Sequence, residues 1–224
     1  MTGLLDTAVD EARDEIVRVG TSLFNRGYVH ASAGNISARV GDGHLITPTD
    51  AALGFLERDR LALVDARGEQ RAGDRASKTL TLHRRIYAAD PTARFVIHTH
   101  STHLVALTLA GVWSQDDVLP PITPYFVMKV GHVPLIPYHR PGDPRVADLV
   151  TARIAGRLAS HTPIRAVLLD RLGPVVWGPN PAAALAVLEE LEETARLWLL
   201  TDRRPEPLTI DAIDELRVTF GAAW

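Results

Sequence analysis

Strand-like segments crowd the first hundred residues and return as a close pair near residue 170, with helix-periodic segments threaded between them. That order admits few architectures, because each amphipathic element must bury one face against another. It predicts an α/β fold, a central mixed and mainly antiparallel sheet covered by helices, formed by residues 1–224 as one domain. Apolar residues at Leu5, Val9, Ala12, Ile16, Val19 and Leu23 recur at helical spacing, with Asp6 or Thr7 to cap and Gly27 to close. Gly34 to Val40, the Gly41-Asp42-Gly43 turn and Leu45 to Thr47 read as a hairpin, and Leu61 to Val64 before Ala66-Arg67-Gly68 reads as another. Ser77 is placed to cap a helix from Lys78 to Ala89, which Pro91 stops. Arg94 to Thr99 reads as a buried strand, followed by a helix from Thr102 to Ala110. Weak alternation marks Tyr125 to Val130 and Val133 to Tyr138. Asp143-Pro144 opens a helix to Leu158, Ala166–Leu169 and Pro174–Trp177 pair as strands, and Pro181 starts the longest helix, to Thr201. Thr209 caps a last helix to Phe220.

Hydrophobic residues at 46% against 23% charged argue for a packed core over disorder. A net charge of -3 supplies no footprint for nucleic acid or an anionic membrane, so neither is an expected partner. With no cysteine there are no disulfides and no thiolate ligands. Acids interrupt the N-terminal segment where a signal peptide needs an apolar core, and no apolar run reaches the roughly 20 residues that cross a bilayer. The expected location is the cytoplasm.

The sharpest local signal is His98-Thr99-His100 at the end of the apolar strand. Residues two apart on a strand share a face, so both imidazoles can converge on one ion; two hydrogen-bonded histidines near a sheet edge would read the same way. Around it stand Ala33-Gly34-Asn35-Ile36-Ser37, Leu45-Ile46-Thr47-Pro48-Thr49 and a helix bearing Ser77-Lys78 and His83.

This order and spacing resembles the class II aldolase and epimerase family from about Leu23 to Phe220, nearly the whole chain. Thr47-Pro48-Thr49, Thr123-Pro124-Tyr125, Arg140-Pro141-Gly142-Asp143-Pro144 and the run from Glu189 to Ala195 resemble most its branch of sugar-acid-phosphate decarboxylases. The resemblance implies that Asn35, Thr49 and Ser77 hold a substrate phosphate, with Lys78 beside them. An anion pocket of helix-start N–H groups, hydroxyls, an amide and one lysine is chemically apt. Tyr125 matches a tyrosine that acts as proton donor across a subunit boundary, so a homo-oligomer, a tetramer, is implied. A divalent ion, zinc or manganese, would sit on His98 and His100.

Two positions depart from the family pattern. Leu172 stands where a third histidine belongs, and Thr79 stands where a glutamate serves as general acid and base. A leucine ligates nothing, and a threonine hydroxyl exchanges no proton usefully near neutrality. The metal is therefore in doubt, with His139 the foremost replacement ligand and His103, His132 and Asp170 behind it. Three functions compete: a metal-using carbon–carbon lyase on a phosphorylated sugar acid, passing through an enediolate; a metal-free enzyme in which Lys78 supplies the charge and Tyr125 the proton; and a non-catalytic homologue that binds a ligand or partner.

Overall fold

The computed structural model describes residues 2–224, with side chains from Thr7 onward. The strands are β1 (Asn35–Val40), β2 (Gly43–Ile46), β3 (Ala62–Val64), β4 (Gln70–Ala72), β5 (Phe95–His98), β6 (Leu135–Ile136), β7 (Ala166–Leu169) and β8 (Gly173–Gly178). They form one sheet in the order β4-β3-β2-β1-β5-β8-β7-β6, antiparallel throughout except between β6 and β7. The helices are α1 (Thr2–Asn25), α2 (Leu80–Ala89), α3 (Thr102–Ala110), α4 (Arg145–Ala159), α5 (Pro181–Leu200) and α6 (Ile210–Phe220).

Every residue of β5 is buried, because helices cover both faces of the sheet centre. Phe95 and Ile97 pack with α1, α3 and α5 around Ile16, Leu23, Leu104 and Leu188. Val96 points the other way, into a second cluster with Leu82 and Ile86 of α2 and Val150 and Ile154 of α4. Strand alternation gives His98 the face of Val96. The histidine segment thus leaves the sheet at the end of the α2–α4 layer.

The mixed, mainly antiparallel sheet is the one anticipated, but several local readings change. The first helix begins at Thr2, ahead of the Asp6/Thr7 cap; the side chains of Leu5 and Asp6 lie outside the described residues. The second helix starts at Leu80 with Thr79 as its cap residue and no side-chain cap bond. Ser77 instead lies in the preceding turn, its Oγ 2.9 Å from Thr79 Oγ1. The Tyr125–Val130 stretch is no strand. Phe126–Val130 coils as a π-helical turn, started by Thr123 Oγ1 accepting from Phe126 N at 3.1 Å and ended at Gly131. Of Val133 to Tyr138 only Leu135–Ile136 pairs, parallel to β7.

Candidate active site

Two glycines fix where the histidine segment lies. Gly34 has φ 88°, and a Cβ there would stand 2.7 Å from the His98 carbonyl oxygen. Gly173 has φ 94°, and a Cβ there would collide with the Thr99 carbonyl. Only glycine allows both the backbone conformation and the approach. The end of β5 is therefore clamped between the entry to β1 and the β7–β8 turn.

His98 Nδ1 lies 2.8 Å from the Pro174 carbonyl oxygen. A carbonyl only accepts, so Nδ1 carries the proton and Nε2 keeps its lone pair. Burial, helped by neighbouring His100, pushes His98 down to about 4, which makes it a neutral imidazole at pH 7. His100 lies beyond the strand end, yet its ring centroid is 5.0 Å from that of His98. Burial and then His30 lower its pKa as well.

These rings border a cavity of about 280 Å³. Asn35, Thr49, Ser77, Lys78 and Thr79 line it together with them. Backbone pairing sutures the phosphate-type donors into one wall: Thr49 N donates to Arg75 O at 2.9 Å and Ser77 N to Thr47 O at 3.2 Å. The Asn35 amide oxygen is buried and, among the described residues, unpartnered. With α2 starting beside it uncapped, this wall offers N–H, hydroxyl and ammonium donors to an anion. The Lys78 ammonium has no carboxylate partner among the described residues.

Leu172 also lines the cavity, so the third-ligand position is occupied by an apolar side chain. His139 does not replace it: its Nδ1 sits 2.8 Å from the Pro137 carbonyl, and it is absent from the cavity wall. His103 is paired with Glu192 and His132 with Asp117, each at 2.8 Å. Among the described residues, no three His, Asp or Glu side chains converge to hold an ion. Two imidazoles against leucine do not fit a catalytic ion with three protein ligands. Tyr125 is 59% exposed and lies outside the cavity wall of its own chain.

Two groups escaped the sequence reading. Arg140, quoted only as part of a motif, lines the cavity mouth. Beneath the site, Ser37 Oγ lies 2.7 Å from His83 Nδ1 and 2.8 Å from the Tyr87 hydroxyl. Its signal was available, since Ser37 shares the strand face of Asn35, and His83 and Tyr87 are one helical turn apart.

The family described as Class II Aldolase and Adducin N-terminal domain matches residues 14–199. A 3-oxo-tetronate 4-phosphate decarboxylase of Cupriavidus necator is 57% identical over 217 residues, covering 95% of this chain and 97% of the relative. One of the same name from Pectobacterium atrosepticum is 45% identical, covering 92% of each chain. The crystal structure of YgbL from Escherichia coli superposes with a TM-score of 0.85 at 42% identity, covering 93% of this chain and 99% of the other. A clamped histidine pair at the end of a buried strand, a wall of anion donors and a sheet shared with these proteins lead to one conclusion: this chain belongs to the class II aldolase and adducin N-terminal domain family.

Proposed function

We propose that the chain is a carbon–carbon lyase that removes CO2 from a small phosphorylated β-keto sugar acid, of the kind named for its decarboxylase relatives. The observation that carries this reading is the wall of the cavity, where Lys78 sits among anion donors and the general-base position is a threonine. Decarboxylation of a β-keto acid needs no base. The bond between the carboxyl carbon and its neighbour breaks, CO2 leaves, and the electron pair passes to the keto oxygen as an enediolate. What the reaction needs is positive charge at that oxygen and a proton for the carbon that lost CO2.

Asn35, Thr49 and Ser77 hold the phosphate in this reading, and Lys78 faces the developing oxyanion. The hydroxyl of Thr79 steers Ser77 across their 2.9 Å contact. Tyr125 of a neighbouring subunit returns the proton, since in its own chain it stands away from the cavity. The working unit is thus a homo-oligomer, a tetramer, in the cytoplasm. His98 and His100 act as neutral polar walls beside Leu172, and the reaction uses neither zinc nor manganese. No helix among the described residues is long and apolar enough to cross a membrane.

The test is CO2 release from 3-oxo-tetronate 4-phosphate by chelator-treated protein. Lys78→Ala should lower kcat by about 10²–10³-fold, as removal of a preorganised oxyanion donor does. Wild type that releases no CO2 unless a stoichiometric ion is restored would overturn the reading.

A further inference from the structure

The cavity has a second cation that the reaction as drawn leaves idle. Arg140 follows the edge strand β6 and so reaches the cavity from a different part of the fold than Asn35 at the start of β1 and Thr49 after β2. His98 comes from β5 and Leu172 from the β7–β8 turn, and all of these residues line the one cavity. A substrate with two anionic groups matches a cavity that offers Arg140 as a second cation beside the phosphate donors and Lys78.

The Arg140 segment is held in place by bonds that leave its own charge free. Asp143 N donates to Arg140 O at 3.1 Å, closing the turn through Gly142 at φ 78°. That turn passes close over Lys78, whose Cβ lies 3.9 Å from where a Gly142 Cβ would be. Asp143, the nearest carboxylate in sequence, is consumed by Arg145: Nη2 donates to Oδ2 at 2.7 Å and the backbone N to Oδ1 at 3.0 Å. This holds Asp143 well below the usual carboxylate range. Asp50, the other carboxylate of the wall, belongs to the Thr49 turn and also borders a neighbouring hollow. Among the described residues the Arg140 guanidinium has no hydrogen-bond or ion-pair partner.

We propose that Arg140 is the specificity residue that grips the substrate's carboxylate and so restricts the site to sugar acids over neutral sugar phosphates of the same length. The inference rests on the decarboxylase reading above. A planar guanidinium pairs with a carboxylate through two parallel N–H bonds, which an ammonium does not reproduce. The contact selects rather than accelerates. As CO2 forms, the carboxylate loses its charge to the keto oxygen, so Arg140 binds the ground state more tightly than the transition state. Its place at the exposed mouth, where water screens the pair, keeps that ground-state grip modest.

The experiment is calorimetry on the full chain with two esters that cannot lose CO2: a tetronate 4-phosphate, and the tetritol phosphate that lacks its carboxylate. Wild type should bind the acid at least about tenfold tighter, as a charge-assisted bidentate contact allows. Arg140→Gln should erase the preference while leaving the tetritol ester within about twofold, and Arg140→Lys should restore part of it. In turnover, Arg140→Gln should raise KM while kcat stays the same or rises, which a merely structural lesion would not do. An unchanged preference in Arg140→Gln, or an equal loss for both esters, overturns this inference alone. Failure of wild type to bind either ester overturns it together with the phosphate reading on which it rests.

Discussion

Single residues carry the clearest electrostatic consequences. His83 is fully buried on α2, bonded through Nδ1 to Ser37 Oγ, with its Nε2 unpartnered among the described residues. Burial, reinforced by His98 and His44, pushes it down to about 3. An unfolded chain takes a proton there below about 6.5, whereas the folded chain refuses one until pH approaches 3. Unfolding therefore absorbs a proton in that window, so the stability from keeping His83 neutral is complete above 6.5 and drains as pH falls. The slope is about 1.4 kcal/mol per pH unit for each such proton, and buried His98 adds the same sign down to about 4. His83→Gln keeps a partner for Ser37 but removes the titration. Its urea midpoint should fall less steeply than wild type between pH 6.5 and 4; parallel curves would show that His83 is not the proton-linked group. The chain alone shows which face of β1 carries Ser37 and that His83 and Tyr87 lie one helical turn apart, but that the three meet, and that His83 is buried, follows only once β1 and α2 are packed. The histidine pair was legible through sequence adjacency, a local property, although β5 ends at His98 and leaves His100 just beyond it.

At the level of elements, legibility follows how much of an element's stability is local. Helices α4, α5 and α6 announce themselves by periodicity and by their starts at Pro144, Pro181 and Thr209; Thr209 accepts the expected first-turn bond, and Asn180, which the sequence reading did not single out, accepts another. The π-helical turn at Phe126–Val130 does not, because a short apolar run bounded by proline and glycine is compatible with strand or helix. The β7–β8 turn shows what a local pattern does supply. Leu172 N donates to Leu169 O at 3.1 Å, Arg171 adopts φ 63°, and Leu172 is delivered to the cavity wall that His98 and His100 share. Leu172→His should complete a three-imidazole set without redesign. Zinc affinity should rise by at least about tenfold, and the variant alone should show a zinc-dependent increase in Tm, since ligand binding to the folded state stabilises by mass action. The cost is lost apolar contact with the α2–α4 cluster, against which Leu172 packs only in part. Equal zinc binding by wild type and variant would mean that other side chains already supply the third ligand.

The order of strands across the sheet is a property of the whole molecule that no window of sequence holds. Placing β5 between β1 and β8 sets Asn35 beside His98, and the cavity they border is completed by Thr49, Ser77, Arg140 and Leu172 from segments distant in sequence. The same scale governs Tyr125, which is 59% exposed and separated from the wall that its proposed role requires. Other exposed apolar side chains accompany it: Phe55, Leu200 and, on α6, Ile210, Val218 and Phe220. The proposed role has Tyr125 of one copy act in the cavity of another, and that makes a sharp prediction. Lys78→Ala lacks the charge in its own cavity, and Tyr125→Phe lacks the hydroxyl that it lends to its neighbour. Each variant should be nearly inactive by itself. Mixed under conditions that let subunits exchange, they should form some sites with an intact Lys78 from one chain and an intact Tyr125 from the other. A substantial fraction of wild-type activity should then return, growing with the time allowed for exchange and absent when exchange is blocked by cross-linking. Sedimentation of wild type at micromolar concentration should show an oligomer under the same conditions. If the mixture stays as inactive as its components while exchange is demonstrably complete, Tyr125 does not act across a subunit boundary. The proton must then come from a donor within the cavity, where the Lys78 ammonium and water are able to supply it.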